Sequence, residues 1–293
     1  MRLPTGVPVL FVALALLLYK SVAAQTATVQ TVRVPSGGTV MFGTIFLAEG
    51  GAPRPTVLLL TGNPGSPQFG FTEVRTQNVL GLAEPMRQAG FNVLTMNFRG
   101  SFGSGGRYGP VARIEDVSAA LVFTRAQAAT YNVDPARLTV IGWSAGGFDA
   151  LLTAVEGPSR RCTVAIAPGN NGARAVERIR QQTTEPPNID EAIAGLGGVT
   201  PRDLRREVLA NQPRFDVVSR MESLKGHPLL IVEAAQDQNI PAGDVGAYVA
   251  AARAAGAAPF DHVLIDANHR FDLEGNRAEL ASVVVNWITK NCV

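Results

Sequence analysis

The chain is short of charge and of several residue types that carry specialised chemistry. Only 17% of its 293 residues are charged, against 46% hydrophobic, so the signature of a disordered chain is absent and a sizeable core can be buried. Lysine is scarce: 23 of the 26 basic residues are Arg, spread along the sequence rather than clustered. The formal charge is +2, and Arg2 and Lys20 account for it, because from residue 25 onward acids and bases are equal in number. A neutral chain without a basic stripe has no electrostatic footprint for polyanions, which removes nucleic acid as an expected partner. Three histidines leave three candidates for imidazole chemistry, and two cysteines, Cys162 and Cys292, allow a single pairing.

Long apolar runs are also missing. The one near the start, residues 7–19, has 13 residues, short of the ~20 a helix needs to cross the hydrocarbon core. It follows Arg2 and leads to the small residues Val22-Ala23-Ala24, a pattern read by signal peptidase. Residues 1–24 are therefore expected to be a cleaved leader, with cleavage before Gln25 and a membrane anchor as the competing reading. The remainder, residues 25–293, is expected to be one exported domain, periplasmic or extracellular, with no membrane attachment after cleavage.

The rest of the chain is rich in strand signals. Alternation over residues 29–34, the Ser36-Gly37-Gly38 turn and the β-rich run 40–46 predict an antiparallel hairpin. Continuous apolar runs follow at 56–60, 91–96, 138–141, 163–166, 229–232 and 262–265, as expected of parallel strands buried on both faces. Amphipathic stretches separate most of them, so the pattern predicts an eight-stranded, mostly parallel α/β sheet covered by helices. One helix is expected over 113–131, with Ile114, Val117, Leu121 and Ala128 on one face, and another over about 273–290. The interval 170–226 breaks the rhythm with Pro186-Pro187, several glycines and an Arg-rich polar surface. It reads as a helical insertion, either surface decoration or a lid over the carboxyl edge of the sheet, where open α/β sheets bind ligands. Within it, Thr200-Pro201-Arg202-Asp203 looks like a helix start with Thr200 as N-cap.

Gly142-Trp143-Ser144-Ala145-Gly146 follows the strand at 138–141 and precedes the apolar stretch 148–155. G-x-S-x-G in a strand-turn-helix context raises the serine hydroxyl above the sheet. A serine needs an imidazole to take its proton and a carboxylate to orient that imidazole. His227 and His262 lie at strand starts, the wrong edge for this, and are expected to be structural. His269 lies in the loop after the last strand, at the same edge as Ser144. Asp237 follows the strand at 229–232; Asp266, three residues before His269, is its rival, and the chain order Ser, Asp, His favours Asp237. Oxyanion donors are expected from the residue after the nucleophile, Ala145, and from the loop after the third strand, at Asn63.

The stretches TGNPG (61–65), NFRGSFGSGG (97–106), GWSAGG (142–147), AAQDQNIP (234–241) and DANHRF (266–271) resemble the α/β-hydrolase superfamily, most nearly the prolyl-oligopeptidase-like and dienelactone-hydrolase-like catalytic domains. Thr61 stands where many relatives have His before the oxyanion glycine. The resemblance implies Ser144 as nucleophile, Asp237 and His269 as its partners, and Asn63 and Ala145 as oxyanion donors. No metal or organic cofactor is required. The propeller that gates oligopeptidases is missing, which favours an ester over a peptide as the small-molecule substrate; a peptidase or amidase using the same residues is the alternative, and a binding protein on a hydrolase fold a further one. Cys162 opens the strand after the nucleophile helix, and the last helix must run back to the same edge, so Cys162 and Cys292 are expected to meet there as a disulfide. Two unrelated thiols is the competing reading.

Overall fold

The structure is a computed structural model that describes residues 28–63, 79–157, 162–181 and 196–293. The expected leader and its cleavage position lie outside these residues. Eight strands are described: β1 (Val29–Ser36), β2 (Thr39–Phe46), β3 (Arg54–Leu60), β4 (Asn92–Met96), β5 (Val133–Trp143), β6 (Cys162–Ile166), β7 (Leu229–Ala234) and β8 (Phe260–Ile265). They form one sheet in the order β1-β2-β4-β3-β5-β6-β7-β8. β1 and β2 are the expected antiparallel hairpin, β2 is antiparallel to β4, and every later pairing is parallel.

Side-chain alternation explains why both faces of this sheet are covered. Val57 and Leu59 of β3, Val164 and Ile166 of β6, and Leu230 and Val232 of β7 join one core cluster. Their neighbours point to the other face, where Ala165, Leu229 and Ile231 join a second cluster and Leu58 and Leu60 a third, as the period of two requires. The helices are α1 (Ala83–Gln88), α2 (Pro110–Ala126), α3 (Ala145–Glu156), α4 (Ala173–Gln181), α5 (Pro201–Ala210), α6 (Gln212–Phe215), α7 (Val217–Arg220), α8 (Ala242–Ala255) and α9 (Asn276–Asn291). Residues of α1 and α9 pack on the first face, and those of α2, α3 and α8 on the other.

Two helices differ in their bounds from the sequence reading. α2 starts earlier than residue 113, because Pro110 occupies its first position with a preset φ, and it stops before Ala128. Ala128 lies instead in the turns leading to Asn132, whose φ of +53° is left-handed and incompatible with helix. α9 starts later than residue 273 because Gly275, at φ +79°, forms its N-cap. The described part of the 170–226 interval is helical, as expected, while residues 182–195 lie outside the described set. Thr200 does cap α5: its hydroxyl accepts from the Asp203 N–H, and the Asp203 carboxylate accepts from the Thr200 N–H at 3.0 Å, a reciprocal capping box.

Cys162, the first residue of β6, is bonded to Cys292, the C-cap of α9, with Cα atoms 5.6 Å apart. The parallel topology brings them together: His269 leaves β8 at the carboxyl edge, and α9 carries the chain back to the amino edge where β6 begins. The bridge spans a sequence separation of 130, for which chain-entropy reasoning gives at most about 5 kcal/mol. Cys292→Ser should therefore lower unfolding stability by up to that amount in urea melts, and the wild-type chain in reductant should converge on the variant. Equal midpoints with and without reductant would contradict this.

Candidate active site

The loops after β3, β5, β7 and β8 all leave the same carboxyl edge, because these strands are parallel. Ser144 follows β5 as the N-cap of α3, at φ +57° and ψ −120°. A non-glycine residue held there stores local strain of about 1–3 kcal/mol, which only an over-determined surrounding can maintain. The flanking glycines supply that surrounding by letting backbone meet backbone. A Cβ on Gly142 would lie 1.9 Å from the Gly146 carbonyl oxygen, and one on Gly146 would lie 2.6 Å from the Leu60 oxygen and 2.5 Å from that of Thr61. The Ser144 N–H donates to Ile166 O at 2.9 Å, and its own carbonyl accepts from the N–H groups of Phe148 and Gly169. The elbow is thereby tied to β6 as well as to α3.

His269, 8% exposed, stands beside it. Its Nδ1 is 2.7 Å from Asp237 Oδ2 and its Nε2 is 3.0 Å from Ser144 Oγ. An ionised carboxylate only accepts, so Nδ1–H donates to Asp237 and Nε2 is left to accept from the serine hydroxyl. Burial works to raise the Asp237 carboxyl, but the hydrogen bond from His269 and the N–H groups of Ile240 and Asn239 outweigh it and hold it below the ordinary carboxylate range. Trp143 adds a constraint from the strand itself: its indole Nε1–H donates to the His269 carbonyl at 2.8 Å, and its ring lies 5.2 Å from the imidazole, centroid to centroid.

The remaining histidines and the rival acid lie elsewhere. His227 Nε2 pairs with Thr163 Oγ1 at 2.9 Å near the start of β6, and His262 Nε2 with Glu233 Oε2 at 2.9 Å. Asp266 is exposed and accepts from Gln236 Nε2 at 2.7 Å. Asn63 and Ala145 both line one cavity of about 120 Å³, together with Tyr108, Arg113 and Asp149 and, from α5, Leu204 and Val208. Pro64 and Gly65 lie outside the described residues. A larger cavity of about 440 Å³ is lined by His269 itself with Gln236, Gln238, Asn239, Asn268 and Arg270.

Sequence reasoning missed three groups beneath the site. Arg113 and Asp149 form an ion pair, each side chain 3% exposed, and the Tyr108 hydroxyl donates to Asn63 Oδ1 at 2.9 Å. Burial pushes the Asp149 carboxyl up to about 6, against the downward pull of Arg113, and burial likewise raises the Tyr108 phenol, which stays a donor. A signal for two of them was present. Arg113 is in helical register with Val117, Ala120 and Thr124 on the buried stripe of α2, and Asp149 is the one charge within the apolar run 148–155. The NFRGSFGSGG stretch serves this region indirectly: Arg99 in it bonds Asp116 of α2 through both its backbone N–H and its Nε, fixing the loop that ends at Tyr108.

α5 is fastened to the site's rim. Glu207 accepts from the Val111 N–H at 2.6 Å, satisfying a first-turn donor of α2 that has no partner within its own helix. Tyr108 N–H donates to Gly197 O, and Gly197 N–H to Gly100 O. The part of the insertion that carries Leu204 and Val208 is thus a wall of the cavity.

The BD-FAE family model matches residues 50–186, which include the loop after β3, the elbow and all of α2 and α3. No curated protein matches. Among solved structures, the esterase Pf2001 of Pyrococcus furiosus is 21% identical, with a TM-score of 0.62 over 89% of this chain and 92% of that one. Est1E from Butyrivibrio proteoclasticus is 14% identical, with a TM-score of 0.64 over 89% and 98%. The hyperthermophilic esterase of Pyrobaculum calidifontis is 18% identical, with a TM-score of 0.63 over 97% and 92%. With this strand order, this elbow and these neighbours, the chain has the α/β-hydrolase fold.

Proposed function

We propose that the chain is a serine hydrolase that cleaves carboxylic esters through an acyl-enzyme. The observation that carries this reading is the unbroken line from Asp237 Oδ2 through the two nitrogens of His269 to Ser144 Oγ. In the first half-reaction Ser144 Oγ bonds to the ester carbonyl carbon while its proton passes to His269 Nε2. Asp237, ionised because its carboxyl is held low, orients the imidazolium and offsets its charge. The carbonyl oxygen becomes an oxyanion, stabilised by the N–H groups of Ala145 and Asn63. Ala145 opens α3, so its N–H has no partner within the helix and also lies at the positive helix end. Collapse breaks the bond to the alcohol oxygen, which takes the proton from His269. Water then repeats the sequence, with His269 as base, and releases the acid. No step needs a metal or organic cofactor.

Two features favour an ester over a peptide. The neighbours from Pyrococcus furiosus and Pyrobaculum calidifontis are called esterases, and the charged groups lining the cavity at Asn63 and Ala145, namely Arg113 and Asp149, bond each other and leave neither to recognise a peptide terminus. The substrate is read as a small molecule, not a nucleic acid. We also read the chain as exported, to the periplasm or the exterior. The leader pattern at 1–24 and the Cys162–Cys292 bridge support this, and among the described residues no helix is long and apolar enough to cross a membrane.

A panel of p-nitrophenyl esters of increasing acyl length, set against dipeptide amides, tests the reading. Ser144→Ala should lower ester kcat/KM by on the order of 10³-fold or more with the fold intact, and fluorophosphonate labelling should disappear. Wild-type turnover by that variant would overturn the assignment. Asp237→Asn should cost far more activity than Asp266→Asn, because only Asp237 touches His269; the reverse ranking would move the role. Gly146→Ala should reduce activity and stability together, since its methyl would need to displace the Leu60 and Thr61 carbonyls. A fully active, equally stable Gly146→Ala protein would show that this close approach is dispensable.

A further inference from the structure

Arg113 has all five of its guanidinium N–H groups engaged, two of them on carbonyls of the loop after β3. Nε and one Nη2–H donate to Asp149 Oδ2, the other Nη2–H donates to Thr61 O at 2.9 Å, and Nη1 donates to Gly62 O at 3.1 Å and Tyr108 Oη at 3.3 Å. Five donors in a planar fork meet five bonds, a match that a lysine cannot reproduce. The Phe98 ring, 3.8 Å from the guanidinium carbon to its centroid, supports the plane from one face. A buried ion pair is a weak source of stability, because desolvation offsets the attraction and apolar replacements are often neutral. The arrangement has a better explanation in what it holds.

The peptide unit between Gly62 and Asn63 is planar, and in a trans peptide the carbonyl and the N–H point in opposite directions. Anchoring Gly62 O on Arg113 therefore aims the Asn63 N–H away from Arg113. The same unit lies against the elbow, since a Cβ on Gly62 would be 3.1 Å from the Ser144 Cβ. Tyr108 extends the hold, accepting from Arg113 and donating to the Asn63 side chain. Asp149 belongs to α3, the helix that Ser144 caps, so one guanidinium sets the oxyanion loop against the nucleophile helix.

We propose that Arg113 is the positioning residue of the oxyanion loop, fixing the carbonyls of Thr61 and Gly62 so that the Asn63 N–H faces the oxyanion formed at Ser144. The proposal rests on the ester-hydrolase reading given above. Arg113 touches no reacting atom and acts through Asn63.

The test is the double variant Arg113→Met/Asp149→Leu, which removes both buried charges together and so keeps the fold, with Arg113→Lys as a second variant that keeps the charge opposite Asp149. Active sites are counted by fluorophosphonate titration, and kcat per titrated site and KM are measured on a p-nitrophenyl ester. The expected result is a kcat about 10²-fold below wild type, the scale of losing a well-placed oxyanion donor. KM should stay within ~3-fold and the melting curve should stay cooperative. Wild-type kcat per site in a folded double variant overturns the proposal, and if that variant does not fold, wild-type kcat per site in Arg113→Lys does so. Absence of Ser144-dependent turnover in the wild-type chain overturns the hydrolase reading and this one with it. Normal wild-type turnover with unaffected variants overturns this one alone.

Discussion

The sharp reversal of the chain at Ser144 is the constraint on which the rest of the site depends. A strand ends and a helix begins within one residue, and the residue between them sits at a positive φ. Such a turn exists only where backbone approaches backbone closely, and Gly142 and Gly146 are where it does so. The approach has two effects at once. It lifts the serine hydroxyl above the sheet, and it presses the start of α3 onto the carbonyls that end β3. Ser144 and the loop after β3 are thereby brought together by packing before any hydrogen bond between side chains is considered.

Around that turn the site is assembled from parts that are remote in sequence, each carried by the end of a parallel strand. This explains how rigidity is achieved with few charged residues. Hydrogen bonds join these parts: Trp143 grips the His269 carbonyl, Tyr108 reaches Asn63, and Glu207 from the insertion closes the start of α2. Each tie joins a different pair of elements.

What the sequence made legible follows from the range of the interactions involved. Strand and helix periodicity is local, and it gave the eight strands, the hairpin and the covering helices. The elbow, His269 and Asp237 were legible because their residue types are rare or their motifs short, and because the parallel topology says which strand ends share an edge. The boundaries of α2 were misjudged because Pro110 and Asn132 act through backbone dihedrals that outweigh the apolar pattern at Ala128. Arg113 and Asp149 escaped notice because the meaning of each depends on the other, 36 residues away, and on carbonyls that no side-chain pattern encodes. The rim formed by α5 was legible only as a helix start at Thr200, since contact between the insertion and the loop at Gly100 is a matter of three-dimensional fit.

The bridge between Cys162 and Cys292 divides the chain in an informative place. Ser144 lies before the closed loop, whereas Asp237 and His269 lie within it. A single peptide-bond break between Cys162 and Asp237 yields two fragments, one bearing the serine and the other the acid and the imidazole, and the sulfur bridge keeps them one molecule. Reassembly of such a nicked chain is an intramolecular event, governed by a high effective concentration instead of by dilution. The bridge thus changes such a cut from a dissociation into a repairable opening of the fold.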